Sequence, residues 1–127
     1  MNFFTPAELT ANSVRSCKAK AELSLSRMLP LAILAGMLIA FGGAVTNTAG
    51  YDLSSFSMVR LVSGLLFPLG LGMVILSGAE LFTGNCLMVL TLLEREITTA
   101  QMLKSWFWVY FGNAVGGLLV AVPFRGN

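Results

Sequence analysis

Polar and apolar positions along this chain fall into long blocks rather than alternating. Residues 5–26 are mostly polar, with a loose apolar stripe at Leu9, Val14, Cys17, Ala21 and Leu25. Thr5-Pro6-Ala7-Glu8 has the form of a capping box with proline at the first helical position, so a helix begins there. The stripe suits an amphipathic helix lying along a membrane surface, or an exposed lead-in with no function of its own. An apolar block at 28–48 follows, uncharged from Leu29 to Val45. It meets the roughly 20 residues that a membrane crossing needs. A second apolar stretch runs from Phe56 to Leu93. It is too long for one straight span and too short for two spans with a loop. Its middle, Ser77 to Asn85, gathers the small and polar residues. The pattern predicts one crossing in two half-helices, 57–77 and 85–93, joined by an irregular loop at 78–84. A third block, 102–122, carries Trp106, Trp108 and Tyr110 near its start, as an interfacial aromatic belt does. The predicted fold class is an all-α membrane protein, a single membrane domain over 1–127 with three transmembrane segments and the second broken at mid-membrane.

Composition supports the membrane class and removes others. Of 127 residues, 56% are hydrophobic and 11% charged, against roughly a quarter charged in soluble domains. A chain this short and apolar cannot hide that surface in one small soluble core. A net charge of +2 gives no reason to expect nucleic acid as a partner. Cys17 and Cys86 are far apart and make no disulfide framework. With no histidine and no paired cysteine spacing, neither a metal nor another cofactor is expected. No nucleophile-and-base spacing and no Gly-rich loop between strand and helix support an enzyme. Glu8, Arg15, Lys18, Lys20 and Glu22 interrupt the N-terminal region, so no cleavable signal peptide is expected. If the spans alternate, six of the eight Lys and Arg residues (Arg15, Lys18, Lys20, Arg27, Arg95, Lys104) share one side, with Arg60 and Arg125 opposite. This bias predicts a cytoplasmic N-terminus and an outer C-terminus.

The broken span is where function is expected. Irregular backbone at membrane depth survives only when packed in protein or lining a polar cavity. A break also turns a half-helix N-terminus, with its partial positive charge, toward the membrane centre, an arrangement that favours anions. The second half-helix is expected to start near Gly84, with Thr83 and Asn85 capping it or donating to a ligand. Glu80 is the one carboxylate deep in an apolar run. It is read either as a proton relay or as a group that is protonated or tied to neighbouring backbone N–H groups. The second role, with Gly78 shaping the same loop, is favoured because an ionised carboxylate facing the pathway would repel an anion. In the third block Gly112 and Gly116 make a GxxxG pair suited to close helix packing, and Gly36, Gly42, Gly43, Gly64, Gly70 and Gly72 mark similar faces on the first two spans.

At these residues the chain resembles the formate/nitrite transporter family. The resemblance runs through Thr5-Pro6-Ala7-Glu8-Leu9, Gly64-Leu65-Leu66-Phe67-Pro68-Leu69-Gly70-Leu71, Gly78-Ala79-Glu80-Leu81-Phe82-Thr83-Gly84-Asn85 and Tyr110-Phe111-Gly112-Asn113. It covers nearly the whole chain in the family's order. It implies an aquaporin-like bundle of six spans in two inverted repeats, assembled as a homopentamer with a pore in each protomer. The implied site is in a prokaryotic plasma membrane (the inner membrane of a Gram-negative cell). The implied partners are the lipid bilayer and a small monovalent anion such as formate, nitrite or hydrosulfide, crossing with a proton. On this resemblance Phe67 and Leu71 form one constriction and Leu81 part of another. Thr83 faces the centre, and Phe82, Gly84 and Asn85 shape it. The family's second repeat, with its central histidine and vestibule lysine, is not in these 127 residues, which are therefore expected to be a fragment of a longer protein. The other reading is a half-protein needing a partner half, or a non-transporting membrane assembly subunit. A water or glycerol channel is disfavoured because the break lacks Asn-Pro-Ala. Gly84-Asn85 and Phe67-Pro68 lean toward the formate and hydrosulfide branches.

Overall fold

The computed structural model describes residues 3–124. Arg125, which the orientation count uses, lies outside them. Every regular element among the described residues is an α-helix: α1 Pro6–Ala21, α2 Leu25–Gly50, α3 Phe56–Leu66, α4 Pro68–Ser77, α5 Phe82–Asn85, α6 Met88–Leu93 and α7 Thr99–Phe124. Helix α2, the α3–α4 pair and α7 are each long and apolar enough to cross a membrane. The all-α class with three spans and an interrupted second one is therefore the architecture observed. Many large apolar side chains point outward, Leu76 and Leu65 being 89% and 68% exposed. The buried positions are mostly small residues between helices. This is the inverse of a soluble core, and it suits spans that pack on one face and meet lipid or other protein on the rest.

Helix α1 is held at its start by the Thr5–Glu8 pair. The Thr5 N–H donates to Glu8 Oε2 at 2.7 Å, and the Glu8 N–H donates to Thr5 Oγ1 at 3.3 Å. The Thr5 N–H holds the Glu8 carboxyl below its usual range. The helix ends at Ala21 rather than near residue 26, because the chain turns through Glu22–Ser24 into α2. Cys17 and Ala21 are buried against Met88, Ile97 and Met102, with Leu92 and Trp106 at the edge. The helix is therefore docked against α6 and the start of α7. The Thr91 hydroxyl donates to the Val14 carbonyl at 3.4 Å, and Lys18 pairs with Glu96 at 3.0 Å. That hydrogen bond to Glu96 raises the Lys18 ammonium's pKa.

The main contact of the bundle is α2 against α7, two helices running the same way. Met28 packs with Val109 and Ala32 in one buried cluster. Farther along, Gly116 faces the Ile33 carbonyl and the Met37 N–H so closely that a Cβ would collide with backbone. Gly36 meets the Asn113 carbonyl in the same way. Helices α2 and α4 approach through Gly42 and Gly70, where a Cβ on Gly42 would lie 3.1 Å from Gly70 Cα. Gly43, Gly64 and Gly72 have open space beside them instead.

The observed boundaries differ from the expected ones for physical reasons. The segment 57–77 is two helices, because Pro68 lacks an N–H and its ring crowds the preceding turn. Phe67 between them keeps helical angles and donates to the Ser63 carbonyl at 3.0 Å, so the interruption is a proline kink rather than a break. The loop of the break is shorter than expected, 78–81, since 82–85 is already helical, and the expected half-helix 85–93 is divided by a turn at 86–87 into α5 and α6. Helix α7 starts at Thr99 rather than 102. Thr98 and Gln101 there exchange side-chain to backbone hydrogen bonds at 2.9 and 3.2 Å, a second capping box that the apolar pattern did not mark.

Two stability measurements follow. Gly116→Leu forces side-chain atoms into the backbone of α2, and overpacking of this kind costs about 1–3 kcal/mol or more; the variant should lose monodispersity and melt lower in detergent, and an unchanged melting temperature would count against this interface. Arg95 closes α6 with φ 58, a left-handed residue whose neighbour Glu96 donates to the Thr91 carbonyl at 3.1 Å. Glycine adopts that conformation without the roughly 1–2 kcal/mol that it costs a side-chain-bearing residue, so Arg95→Gly should raise the melting temperature.

Candidate functional site

The break is built so that most of its backbone groups find partners inside the protein. Gly78 ends α4 at φ 68, in the left-handed region glycine adopts freely. Its N–H donates to the Ile75 carbonyl at 3.3 Å, and the Ala79 N–H donates to Val74 at 3.1 Å, which together form a Schellman cap. The chain then crosses α2, where the Glu80 N–H donates to the Leu31 carbonyl at 3.2 Å. The next two partners come from a single side chain of α7. Asn113 Nδ2 donates to the Glu80 carbonyl at 2.9 Å, and Asn113 Oδ1 accepts from the Phe82 N–H at 2.9 Å. Nδ2 also donates to the Ala32 carbonyl at 2.7 Å. The short helix α5 thus starts at Phe82, with Leu81 as its extended N-cap residue and no cap from its own side chains. This corrects the expected start near Gly84 with Thr83 or Asn85 capping: a residue from another span supplies the cap. Among the described residues, the N–H groups of Thr83 and Gly84 meet no acceptor.

Behind the break lies a buried polar cluster. Glu80 is 3% exposed and Asn85 is fully buried. Asn85 Nδ2 donates to Glu80 Oε2 at 3.0 Å and to Ser105 Oγ at 3.2 Å. The Asn85 carbonyl accepts from Trp106 Nε1 at 2.8 Å. Lys20 reaches in from α1, its Nζ 3.5 Å from Asn85 Oδ1 and 3.7 Å from Glu80 Oε1. Glu80 is therefore held by a lysine and an amide side chain, not by neighbouring backbone N–H groups as expected. The reason is the docking of α1, which brings a counter-charge under the break. The Lys20 side chain keeps 30% of its surface exposed, so its charge also faces outward.

That outward face is a cleft of about 580 Å³. Leu71, Val74 and Ile75 of α4 line one side, and Gly78, Ala79, Leu81, Thr83 and Gly84 line the break. Ser16 and Lys20 of α1 close one end. Of the residues expected along a pathway, Leu71, Leu81, Thr83 and Gly84 meet here. Phe67 is half exposed and one turn before Leu71, on the same face of the span but beyond the cleft. Phe82 and Asn85 are turned away, which corrects their expected place. Phe82 packs edge-on against Trp106 and Tyr110, with ring centroids 6.1 and 5.4 Å apart. The division follows the turn of α5: Phe82 and Asn85, three residues apart, share one face, and Thr83 and Gly84 lie on the other.

Lys20, Ser105 and Asn113 also belong to this site, and none of them is expected there from the sequence. Asn113 was the most accessible of them, since a lone carboxamide in an apolar span points to a buried partner. Another cleft of about 580 Å³ lies between the ends of α2 and α7. Asn47 is the one polar side chain in its lining, so the chemistry favours the cleft at the break. There a lysine ammonium, a threonine hydroxyl and two free N–H groups sit among leucine, isoleucine and valine. Such a surface has the chemistry to hold a small anion.

Sequence comparisons agree with this geometry. The profile described as formate/nitrite transporter matches residues 7–126. The chain is 37% identical over 120 residues to a probable formate transporter of Methanothermobacter thermautotrophicus, covering 87% of this chain and 44% of the relative. It is 37% identical over 119 residues to the formate channel FocA of Haemophilus influenzae, covering 92% of this chain and 42% of that protein. It is 45% identical over 91 residues to FocA of Escherichia coli K12, covering 70% and 32%. The chain thus spans less than half the length of these three relatives. With a match along nearly all of its length and a broken second span at the motif, the chain belongs to the formate/nitrite transporter family.

Proposed function

We propose that this chain forms one wall of a transmembrane passage for a small monovalent anion, with formate as the leading substrate and nitrite and hydrosulfide in the same class. The observation that carries the reading is the cleft at the break, where Leu71, Leu81, Thr83, Gly84 and Lys20 converge. The relatives' names point to formate. An anion bare of water is costly among leucines, so a short apolar narrowing beside a small polar centre discriminates by charge and size. Lys20 raises the local concentration of anions at one mouth. Thr83 and the free N–H groups beside it offer hydrogen bonds where water is stripped. Phe67, one turn out from Leu71, extends the narrowing along the same face. Proton transfer to the anion would lower the barrier further, and on the family resemblance a second repeat would bring the histidine that donates it. The anion therefore crosses with a proton in this reading.

The setting proposed is the plasma membrane of a prokaryote, with the N-terminus in the cytoplasm. The Lys18–Glu96 pair supports the topology, because it ties α1 to the α6–α7 loop at one end of the bundle. Arg15, Lys18, Lys20 and Arg27 lie in α1 or at the start of α2, and Arg95 and Lys104 in the α6–α7 loop or at the start of α7, so alternating spans would put all six on one side, with Arg60 at the start of α3 opposite. The open glycine faces at Gly43, Gly64 and Gly72 leave room for further helices, in keeping with a second repeat and a homopentamer.

Flux through proteoliposomes containing the full-length gene product tests this reading. Formate should cross faster than in protein-free vesicles from about pH 5 to about pH 8, the interval over which a histidine changes charge. Thr83→Val keeps the shape and removes the hydroxyl, and should slow formate about tenfold, the equivalent of one hydrogen bond of ~1.4 kcal/mol. No flux of formate, nitrite or hydrosulfide anywhere in that interval would contradict the proposal.

A further inference from the structure

The carboxamide of Asn113 brackets a single residue of the break. It holds the Glu80 carbonyl from Nδ2 and the Phe82 N–H from Oδ1, each at 2.9 Å. The residue between those two backbone groups is Leu81, whose backbone is extended (φ −105, ψ 131) and whose side chain lines the cleft. The same Nδ2 donates to the Ala32 carbonyl at 2.7 Å, so the bracket is anchored to α2. The orientation of the amide follows from its partners. Turned over, it would set its NH₂ against the Phe82 N–H and its oxygen against two carbonyls. Gly36 makes the placement sterically possible, because any Cβ there would strike the Asn113 carbonyl. Leu81 packs at its base against the buried cluster of Ala35, Val74 and Ala79. A close-packed neighbourhood of this kind has discrete arrangements rather than a continuum, so a loop released from Asn113 would move Leu81 relative to Leu71 across the cleft.

We propose that Asn113 is a positioning residue that fixes the apolar constriction at Leu81 and so sets the size of the anion admitted. The proposal rests on the reading of this cleft as an anion pathway. Asn113 touches no pathway surface itself and acts through the backbone on both sides of Leu81. Aspartate at this position keeps the shape and the acceptor for Phe82 but loses both donors. It would place a carboxylate oxygen against the carbonyls of Glu80 and Ala32.

The test compares formate and butyrate flux in proteoliposomes made with the full-length gene product, its Asn113→Asp and Leu81→Ala variants, and the double variant. The expected result is that each single substitution lowers the formate-to-butyrate ratio by about tenfold or more, the lower end of what one methylene is worth in a fitted apolar site. The double variant should show a ratio close to that of Leu81→Ala alone, since both changes act on one constriction. An unchanged ratio in Asn113→Asp, with both fluxes merely reduced, would overturn the proposal, and so would fully additive effects. Where the aspartate variant does not accumulate in the membrane, Asn113→Ser is read by the same ratio, because it shortens the side chain without adding charge. Failure of both variants to accumulate would overturn the proposal in favour of a purely architectural asparagine. If the unsubstituted protein passes no anion, or Leu81→Ala leaves the ratio unchanged, the pathway reading fails first and separately.

Discussion

A backbone carbonyl or N–H left bare in hydrocarbon costs several kcal/mol, and a span interrupted at mid-membrane exposes both. Several partners at the break answer that constraint. Gly78 turns the end of α4 back on its own carbonyls. Leu31 of α2 accepts from Glu80, and Asn113 of α7 serves the Glu80 carbonyl and the Phe82 N–H together. Hydrogen bonds between membrane helices are individually modest, averaging ~0.6 kcal/mol in measured cycles. The contribution of Asn113 to helix association is therefore small beside the cost of leaving the break unsatisfied. This explains why α2 and α7 approach so closely at Gly36 and Gly116: only at that separation can one short side chain reach both the loop and α2.

The break also divides its side chains between two tasks. Glu80 and Asn85 turn inward, toward Ser105, Trp106 and the ammonium of Lys20. Leu81, Thr83 and Gly84 face the cleft. A carboxylate on the cleft side would oppose an anion, whereas Glu80 is buried behind it, 3.7 Å from the Lys20 Nζ at the cleft's end. The N-terminal helix is thus part of the site. Its docking through Cys17 and Ala21, and through the Thr91–Val14 hydrogen bond, delivers Lys20 to the break.

The sequence made some of this legible. The break shows as an apolar run of impossible length, and the α1 start shows as Thr5 with Glu8 three residues on. Gly112 and Gly116 mark the α7 face only together with the glycines of the first two spans, because a GxxxG spacing alone is common. The rest depends on tertiary register. The direction of Phe82 and Asn85 was unreadable because the start of α5 is set by Asn113 of another span, and a helix expected near Gly84 gives these residues no common face. Lys20 looked like an interfacial charge until the docking of α1 aimed it inward. Asn113 looked like one polar residue in a glycine-rich face, and its role depends on a separation between α2 and α7 that no single span encodes. Pro68 reads the same in sequence whether it kinks or ends a helix; here the Phe67–Ser63 hydrogen bond carries the helix through.

The central claim is that the break presents Leu81, Thr83 and Gly84 to an aqueous cleft while Phe82 and Asn85 face the bundle. Single-cysteine accessibility measures this directly, in a background where exposed Cys86 is replaced by serine and buried Cys17 is kept. A small charged thiol reagent applied to the membrane-embedded protein should modify Leu81→Cys, Thr83→Cys and Gly84→Cys, and formate should slow the reaction at Thr83→Cys. Phe82→Cys and Asn85→Cys should resist it. Modification at 82 and 85 with protection at 81, 83 and 84 would contradict the claim, as would uniform resistance at all five positions.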